Sequence, residues 1–317
     1  MSIRSARNIE VRGSGIFPKA VALAWIFWIL PASLIAQTQS QGTFAPIEKG
    51  LVVSDVERTE FHSKFTGEDY SVYVWLPPGY SQGDKRYPVL YVTDAEYPFL
   101  ELRDASFVMT LFSHSVLQEF ILVGVPFKFK SISDWGRDRS FDLTPTEDRE
   151  WSATFSKQVG GTVRTGGAAL FLRTLKEELI PFIESKYRVT SDRGLAGYSF
   201  GGLFAAYVWL NDGNTFSRYL ISSPSLWWDK ETILKTAAAV VESGKSLKGR
   251  VFLSVGADED EDMVGPLRTL TTILRSRPYP DLHLESDIFD GEVHLSGLPV
   301  AFNRGLRFLY PPPPPKQ

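Results

Sequence analysis

The serine at position 199 lies in a sequence pattern that can make a weak nucleophile reactive. A short apolar stretch, Leu195–Ala196, runs into the Gly-x-Ser-x-Gly pattern of Gly197–Gly201, and a helical run, Leu203–Leu210, follows. A sharp strand-to-helix turn exposes the serine hydroxyl and presents a backbone N–H to an oxyanion. Glycine at both ends of the pattern removes Cβ atoms that would crowd the turn. The pattern predicts that Ser199 is an acyl-transfer nucleophile, the alternative being an ordinary turn with a helix-capping serine.

A serine nucleophile needs a base, and one of the four histidines is placed to act as one. The candidates are His62, His114, His283 and His294. The first lies in early antiparallel strands, the second in a helical run and the third at the start of the last predicted strand. His294 instead follows that strand, in the glycine-containing loop 290–294. Because loops after parallel strands open at one edge of a sheet, we expect His294 beside the Ser199 turn.

A triad also needs an acid that orients the histidine, and the chain order nucleophile, acid, histidine is that of α/β hydrolases. The predicted strand 251–255 leads into a run of five acidic residues, 258–262. Most of these side chains have the plain interpretation of a solvated acidic loop. The spacing leaves three alternatives open, namely Asp258, Glu259 and Asp260.

The oxyanion of an acyl-transfer reaction needs two N–H donors. One is the amide of Phe200, directly after the nucleophile. The second is expected from the turn that follows the predicted strand 89–93, which makes Ala95 and Glu96 the candidates. No motif predicts a metal site or a cofactor, and no Ser-x-x-Lys pattern offers a lysine base.

The composition excludes several other classes of protein. The chain has 317 residues, 43% of them hydrophobic, which is ample for a sizeable core. Cysteine is absent, so disulfides, thiolate zinc sites and a cysteine nucleophile are excluded together. The formal net charge is −3 and no basic patch is present, so we expect no nucleic-acid partner.

The first 36 residues have the order of charge and hydrophobicity typical of a secretory signal. Residues 1–19 carry four basic side chains and one acidic one, and residues 20–36 are almost wholly apolar. This order predicts a signal peptide over 1–36, cleaved after Ala36, with an uncleaved membrane anchor as the alternative. We therefore expect an exported protein, periplasmic or secreted, without stable membrane insertion after cleavage. The polar residues 37–50 are predicted to form a linker.

The rest of the chain has the pattern of an α/β fold. Two alternating stretches, 51–60 and 71–76, predict antiparallel strands. Short apolar runs without alternation then predict strands buried on both faces, as in a parallel sheet. These runs are 89–93, 120–125, 194–196, 219–222, 251–255 and 283–289. Helical segments separate them, so we expect one open, mostly parallel sheet with antiparallel N-terminal strands and helices on both faces, over residues 51–310.

Three segments between or beyond the strands are distinctive. Ala168–Tyr187 has helical periodicity, and Pro181 should kink it. Lys128–Gly167 is long, polar and predicted to be a loop beside the ligand-binding edge of the sheet. The tail 311–317 contains five consecutive prolines and is predicted to be disordered.

With these residues in hand, the chain resembles the putative-esterase family of α/β hydrolases, which includes the ferric enterobactin esterases, esterase D and the mycolyltransferases. The resemblance covers about Ser71 to Leu309 and is specific because its motifs are linked. They are Val89–Asp94, Val123–Pro126, Arg139–Pro145, Glu177–Ile183, Gly197–Gly202, Ser222–Trp228 and the His294 loop.

The resemblance implies an α/β-hydrolase fold and ester hydrolysis by Ser199 and His294. It places the acid three residues after the strand-end glycine, at Glu259. It also implies that Arg139 and Trp135 contact the substrate and that Trp227 lines its pocket, although core packing is the alternative for the tryptophan. The family often has Asp-Gly after the third strand, where this chain has Asp94-Ala95.

These observations lead to one main functional hypothesis. The protein is expected to be a serine hydrolase that cleaves a small-molecule carboxylic ester through an acyl-enzyme. The ester is of a siderophore type or a general carboxylic ester, and the arginines of the long segment would either bind an anionic substrate or form a solvated face. These arginines are Arg137, Arg139, Arg149 and Arg164. The alternatives are an acyltransferase that uses the same triad and a non-catalytic binding protein on a hydrolase scaffold.

Overall fold

An eight-stranded sheet organises the computed structural model, which describes residues 55–111, 116–127 and 131–312. The strands follow the order β1-β2-β4-β3-β5-β6-β7-β8 across the sheet. Their bounds are β1 Val56–His62, β2 Asp69–Trp75, β3 Tyr87–Thr93, β4 Ile121–Val125, β5 Val189–Tyr198, β6 Arg218–Ser222, β7 Gly249–Gly256 and β8 Leu282–Phe289. β2 pairs antiparallel with β1 and β4, and the other neighbours pair in parallel. The predicted mixed sheet is confirmed.

Helices cover both faces of this sheet. They are α1 Pro98–Thr110, α2 Ile132–Leu143, α3 Arg149–Val159, α4 Ala168–Thr174, α5 Ile180–Lys186, α6 Phe200–Asn211, α7 Trp228–Glu242, α8 Glu261–Arg275 and α9 Gly297–Leu309. One hydrophobic cluster contains side chains of α4, α6, α7 and α8, and a second cluster contains those of α1 and α9. The sheet is therefore enclosed between two apolar layers, as expected for a fold with mainly parallel strands.

The central strand β3 shows why its sequence is apolar without alternation. All seven of its residues are buried. Val89 and Tyr91 pack into the larger cluster, whereas Leu90 and Val92 pack into the smaller one. Because successive side chains of a strand point to opposite faces, burial on both sides requires an unbroken apolar run. The open, mostly parallel sheet predicted from such runs is the sheet observed.

The segment predicted as a loop over Lys128–Gly167 contains two helices, so that prediction was wrong. α2 begins after Ser131, whose side chain accepts a hydrogen bond from the amide of Asp134. α3 begins after Asp148, whose side chain accepts one from the amide of Trp151, and it ends at Gly160. These capping side chains satisfy amides that have no partner within the helix. They stabilise helices whose sequences are polar enough to resemble a loop.

The helix predicted over Ala168–Tyr187 is present, with the irregularity expected near Pro181. It consists of α4, a π-helical segment Leu175–Leu179 and α5. Proline cannot donate the backbone hydrogen bond that a regular helix needs at its position. The π-helical turn lies directly before α5, and Pro181 stands in the first turn of α5.

Several predictions concern residues outside the described ranges. The chain divides into two units, Met1–Leu51 and Val52–Gln317, and the described residues all lie in the second unit. The signal peptide predicted over 1–36 and the linker predicted over 37–50 lie outside the described residues, as does most of the tail. The domain boundaries therefore stay predictions. Among the helices that the structure describes, none is long and apolar enough to span a membrane.

Candidate active site

Ser199 lies in a sharp turn between β5 and α6, with a backbone conformation that non-glycine residues rarely adopt. Its φ is 59° and its ψ is −120°. A Cβ on Gly197 would lie 2.0 Å from the carbonyl oxygen of Gly201, and a Cβ on Gly201 would lie 2.6 Å from the Oγ1 of Thr93. Both positions therefore require glycine, because backbone and strand atoms approach too closely for any side chain. The turn presents the serine at the C-terminal edge of the sheet.

The strained turn is held by hydrogen bonds to the next strand end. The amide of Ser199 donates to the carbonyl of Ser222 at 3.2 Å, and the amide of Ser225 donates to the carbonyl of Ser199, also at 3.2 Å. Ser222 is the last residue of β6. These two bonds fix the backbone on both sides of the serine, which is what a conformation of this kind needs in order to persist.

Two loops at the same edge are fastened to each other. In the loop after β7, the amide of Asp258 donates a hydrogen bond to the carbonyl of Glu292 at 3.0 Å. The amide of Ala257 donates one to the carbonyl of Phe289 at 2.8 Å. Gly256 allows this approach, because a Cβ there would lie 2.2 Å from the carbonyl oxygen of Glu292. The loop that carries the acidic run therefore lies directly against the loop that carries His294.

Of the three candidate acids, Glu259 is the one that contacts His294. Its Oε2 lies 2.7 Å from Nδ1 of the imidazole, and its Oε1 accepts hydrogen bonds from the amide of Gly256 at 2.8 Å and from the hydroxyl of Ser223 at 2.6 Å. The Glu259 side chain is fully buried, whereas the His294 side chain is 38% exposed. Asp258 and Asp260 are exposed. An acid with these partners can hold one histidine tautomer and orient the ring.

The electrostatics of Glu259 favour its charged form. Burial alone would raise the pKa of this carboxyl, but hydrogen bonds from His294, Ser223 and Gly256 outweigh it and hold the pKa below its usual range. Glu259 is therefore an anion at neutral pH. A buried anion beside an imidazole stabilises the imidazolium that forms when the ring accepts a proton.

Tyr198 connects the histidine loop to the serine turn. Its hydroxyl donates to the carbonyl of His294 at 2.6 Å, and the two rings lie 5.2 Å apart between centroids. Since Tyr198 directly precedes Ser199, this contact brings His294 to the end of β5. Nδ1 of the imidazole is engaged by Glu259, so Nε2 is the nitrogen left to exchange a proton with a substrate or nucleophile.

Both amides in the turn after β3 that could serve an oxyanion have partners in the protein. The amide of Ala95 donates to the carbonyl of Val125 at 3.3 Å, so this donor is engaged in the sheet. The carboxylate of Glu96 accepts hydrogen bonds from the amide of Phe127 at 3.0 Å, from the indole of Trp135 and from its own backbone amide. Burial, and then the nearby Asp94 carboxylate, raise the pKa of Glu96 to about 7. Near neutral pH the turn therefore carries only part of the negative charge that would oppose an oxyanion.

Arg139 is placed to hold this turn rather than to offer a free cation. It forms a bidentate pair with Asp94 at 2.8 and 2.6 Å, and it is only 7% exposed. Its guanidinium also lies over the rings of Trp135, at 4.4 Å, and Phe200, at 5.0 Å. The pair links α2 and the turn after β3, and the guanidinium charge is paired with a carboxylate within the protein.

Aromatic side chains surround Phe200, and one of them is a residue that the sequence did not single out. Trp227 is half-buried with its ring 6.0 Å from that of Phe200, while its neighbour Trp228 is fully buried. Trp151, on α3, lies 5.6 Å from Phe200 and 5.1 Å from Trp228. It was missed because its helix was predicted as a loop. The helix-capping Asp148 three residues earlier is the signal that would have found it.

The other histidines lie away from the Ser199 turn or outside the described residues. His62, on β1, is exposed and lies 2.9 Å from Asp69. His283 is exposed near the start of β8, at the opposite edge of the sheet. His114 is outside the described ranges. Within those ranges, no group of three or more histidine, cysteine, aspartate or glutamate side chains is arranged to hold a metal ion.

Comparison with known proteins identifies the family. A family model described as "Putative esterase" matches residues 63–277. The chain belongs to this esterase family. It is 29% identical over 244 residues to the ferri-bacillibactin esterase BesA of Bacillus subtilis (strain 168), a match that covers 72% of this chain and 81% of that protein.

Solved structures support the same assignment. The BES protein from Bacillus cereus is similar with a TM-score of 0.73 and 28% identity, over 84% of this chain and 99% of that one. An IroE-like serine hydrolase from Shewanella oneidensis is similar with a TM-score of 0.69 and 25% identity, over 80% of each chain. The protein is therefore a serine esterase with an α/β-hydrolase fold, as the sequence predicted.

We predict that the substitution Gly197→Ala disrupts the turn around Ser199. A Cβ 2.0 Å from a backbone oxygen cannot be relieved by a side-chain rotation, so we expect a loss of about 2–4 kcal/mol in the free energy of unfolding. Esterase activity should fall with it. Urea unfolding and hydrolysis of p-nitrophenyl acetate measure the two effects.

Gly213→Ala is the matched control for this prediction. Gly213 follows α6, and a Cβ there would meet only the carbonyl oxygen of Trp209, at an ordinary contact distance of 3.6 Å. We expect this variant to keep the stability and activity of the parent. Equal stability of the two variants would contradict the steric argument.

Proposed function

We propose that Ser199 is the nucleophile, His294 the general base and Glu259 the orienting acid of this serine esterase. The observation that carries the proposal is the fully buried Glu259 carboxylate, 2.7 Å from Nδ1 of His294, at the edge of the sheet where the turn of Ser199 opens. This is the arrangement of an acid and a base that serve a serine nucleophile. Because Glu259 engages Nδ1 and the imidazole is 38% exposed, we assign proton exchange with Ser199 to Nε2.

The reaction proceeds in two halves. His294 takes the proton of the Ser199 hydroxyl on Nε2 as the oxygen attacks the ester carbonyl carbon, and the Glu259 anion stabilises the imidazolium. The imidazolium then gives this proton to the departing alcohol, which leaves an acyl-enzyme. Water repeats the sequence, giving its proton to His294, and releases the carboxylic acid together with free Ser199.

Two amides are proposed to bind the oxyanion of each tetrahedral intermediate. One is the amide of Phe200, at the first position of α6, where N–H groups lack partners within the helix. The other is the amide of Glu96, because that of Ala95 is engaged with Val125. The substrate's oxyanion would displace the Glu96 carboxylate from its own amide. The raised pKa of that carboxyl makes the displacement easier near neutral pH.

The substrate we propose is an ester of the siderophore type, by analogy with the bacillibactin esterase that resembles most of this chain. The described side chains around Phe200 favour recognition by aromatic contact over recognition by free cations. The four arginines of the long segment all form ion pairs, with the partners Arg137–Asp134, Arg139–Asp94, Arg149–Glu147 and Arg164–Glu68. The half-buried Trp227 and Trp151 offer apolar surfaces for aromatic groups of such an ester.

Ser199→Ala should abolish hydrolysis of p-nitrophenyl butyrate, by about 10⁴-fold or more, because the residue that forms the acyl-enzyme is removed. A fluorophosphonate probe should label the parent at Ser199 and leave this variant unlabelled. Circular dichroism and the thermal midpoint should match those of the parent. Undiminished turnover in the folded variant would show that another residue is the nucleophile.

A substrate panel tests the siderophore proposal separately from the triad. We expect kcat/KM for a catecholate trilactone to exceed that for p-nitrophenyl esters of two to eight acyl carbons by about tenfold or more. Product analysis by mass spectrometry follows each opened ester bond. A preference for the simple esters, with Ser199 still required, would indicate a general carboxylesterase.

We also propose that residues 1–36 direct export and are then removed, so that the enzyme acts outside the cytoplasm. The basic and apolar order of this segment supports the proposal. Expression in a bacterial host followed by N-terminal sequencing of the exported enzyme should give a mature chain that begins at Gln37. Recovery of the full-length chain in the membrane fraction would favour an uncleaved anchor instead.

A further inference from the structure

We propose that Ser223 is a positioning residue of the hydrolytic site: its hydroxyl fixes the buried Glu259 carboxylate against His294. This inference rests on the proposed roles of Ser199, His294 and Glu259. Ser223 follows the last residue of β6 and is 2% exposed. Its Oγ lies 2.6 Å from Oε1 of Glu259, the oxygen that does not contact the histidine. Each oxygen of the carboxylate therefore has its own side-chain donor.

The backbone of Ser223 has an unusual conformation, and in this conformation the hydroxyl contacts Glu259. Its φ is 40°, in the region that favours glycine. Its amide donates to the carbonyl of Ser254, on β7, at 2.7 Å. A serine in such a conformation is less favourable than glycine by about 1 kcal/mol. The chain tolerates this strain at a position where the side chain has a charged partner, which points to a role for the hydroxyl itself.

Each hydroxyl has one proton, and this determines which group donates in each hydrogen bond around Ser223. Its hydroxyl lies 2.8 Å from the hydroxyl of Tyr198 as well as 2.6 Å from Glu259. The proton of Tyr198 goes to the carbonyl of His294, 2.6 Å away. The single proton of Ser223 therefore goes to the better of its two acceptors, and a carboxylate anion is a stronger acceptor than a phenol oxygen. Ser223 thus joins the serine turn, the acid and the histidine loop.

Removing this hydroxyl should change the proton affinity of the catalytic pair. With one donor fewer, the pKa of Glu259 rises and its negative charge concentrates on the oxygen that faces His294. A larger negative charge then faces the ring, which stabilises the imidazolium more strongly. The other ionisable groups nearby are Tyr198 on β5, Asp258 and Asp260 on either side of Glu259, and Glu292 in the histidine loop. Ser223 variants leave all four in place.

The test compares Ser223→Ala with Ser223→Gly. Both remove the hydroxyl, but glycine also relieves the backbone strain, so the pair separates hydrogen bonding from conformation. We expect both variants to lower kcat for p-nitrophenyl butyrate by about tenfold, with little change in KM. The acidic limb of the kcat/KM profile should move to higher pH by about half a unit in both.

Ser63→Ala is the matched control. Ser63 is also fully buried and donates to a carboxylate, Glu178, at 2.7 Å, but it lies between β1 and β2, away from the site. Its loss should lower stability and leave the pH profile unchanged. A Ser223→Gly variant with parental kcat and pH profile would overturn the proposal. If fluorophosphonate still labels Ser199 in that variant, the positioning role fails alone and the proposed nucleophile stands.

Discussion

The close approach of the backbone at Gly197 and Gly201 is the constraint on which the rest of this site depends. The two residues are so near that a Cβ on the first would lie 2.0 Å from the carbonyl oxygen of the second. This contact forces the chain to reverse within three residues, and Ser199 takes a φ of 59° as a result. Ser199 is half-buried at this edge of the sheet. The loops that carry Glu259 and His294 lie at the same edge of the sheet as this turn.

Unusual backbone conformations occur at the ends of three neighbouring strands. Asp94 follows β3 with a φ of 53°, Ser199 follows β5, and Ser223 follows β6 with a φ of 40°. β3, β5 and β6 are adjacent in the sheet. Such conformations persist only when the surroundings hold them. Here the bidentate Arg139–Asp94 pair and the hydrogen bonds between strand ends hold them, and the buried sheet below provides the stability. Among the described residues, six non-glycine residues have a positive φ, and three of them lie at the strand ends where the chemistry is proposed to occur.

The carboxylates near the site show how the surroundings determine charge. Glu259 is fully buried, yet three hydrogen-bond donors keep its pKa low, so it remains an anion beside His294. Glu96 is held beside the Asp94 carboxylate, and burial raises its pKa to about 7. One acid is therefore suited to stabilise a positive imidazolium, while the other loses much of the charge that would repel an oxyanion. The same functional group differs in charge because Glu96 is buried beside the Asp94 carboxylate, whereas Glu259 is buried beside the His294 imidazole.

The sequence by itself determined the fold class and the elements of the site that depend on local pattern. Apolar runs without alternation predicted the strands because burial on both faces leaves no polar position. Gly197–Gly201 predicted the turn at Ser199 because only glycine fits there. The position of His294 after the last strand placed it at the same edge. The helices α2 and α3 were missed because capping side chains stabilise them, and these have little effect on overall polarity.

Only the tertiary structure decided which groups meet. Spacing left Asp258, Glu259 and Asp260 equivalent, because each follows the same strand end. The hydrogen bond from Asp258 to Glu292 fixes the loop so that Glu259 faces inward. Likewise, a sequence marks Arg139 as a cation but does not show that Asp94 neutralises it, 45 positions away. Nor does it show that Ser223 contacts Glu259. These are contacts between loops of different strands, and the packing of the strands sets them rather than any pattern within one segment.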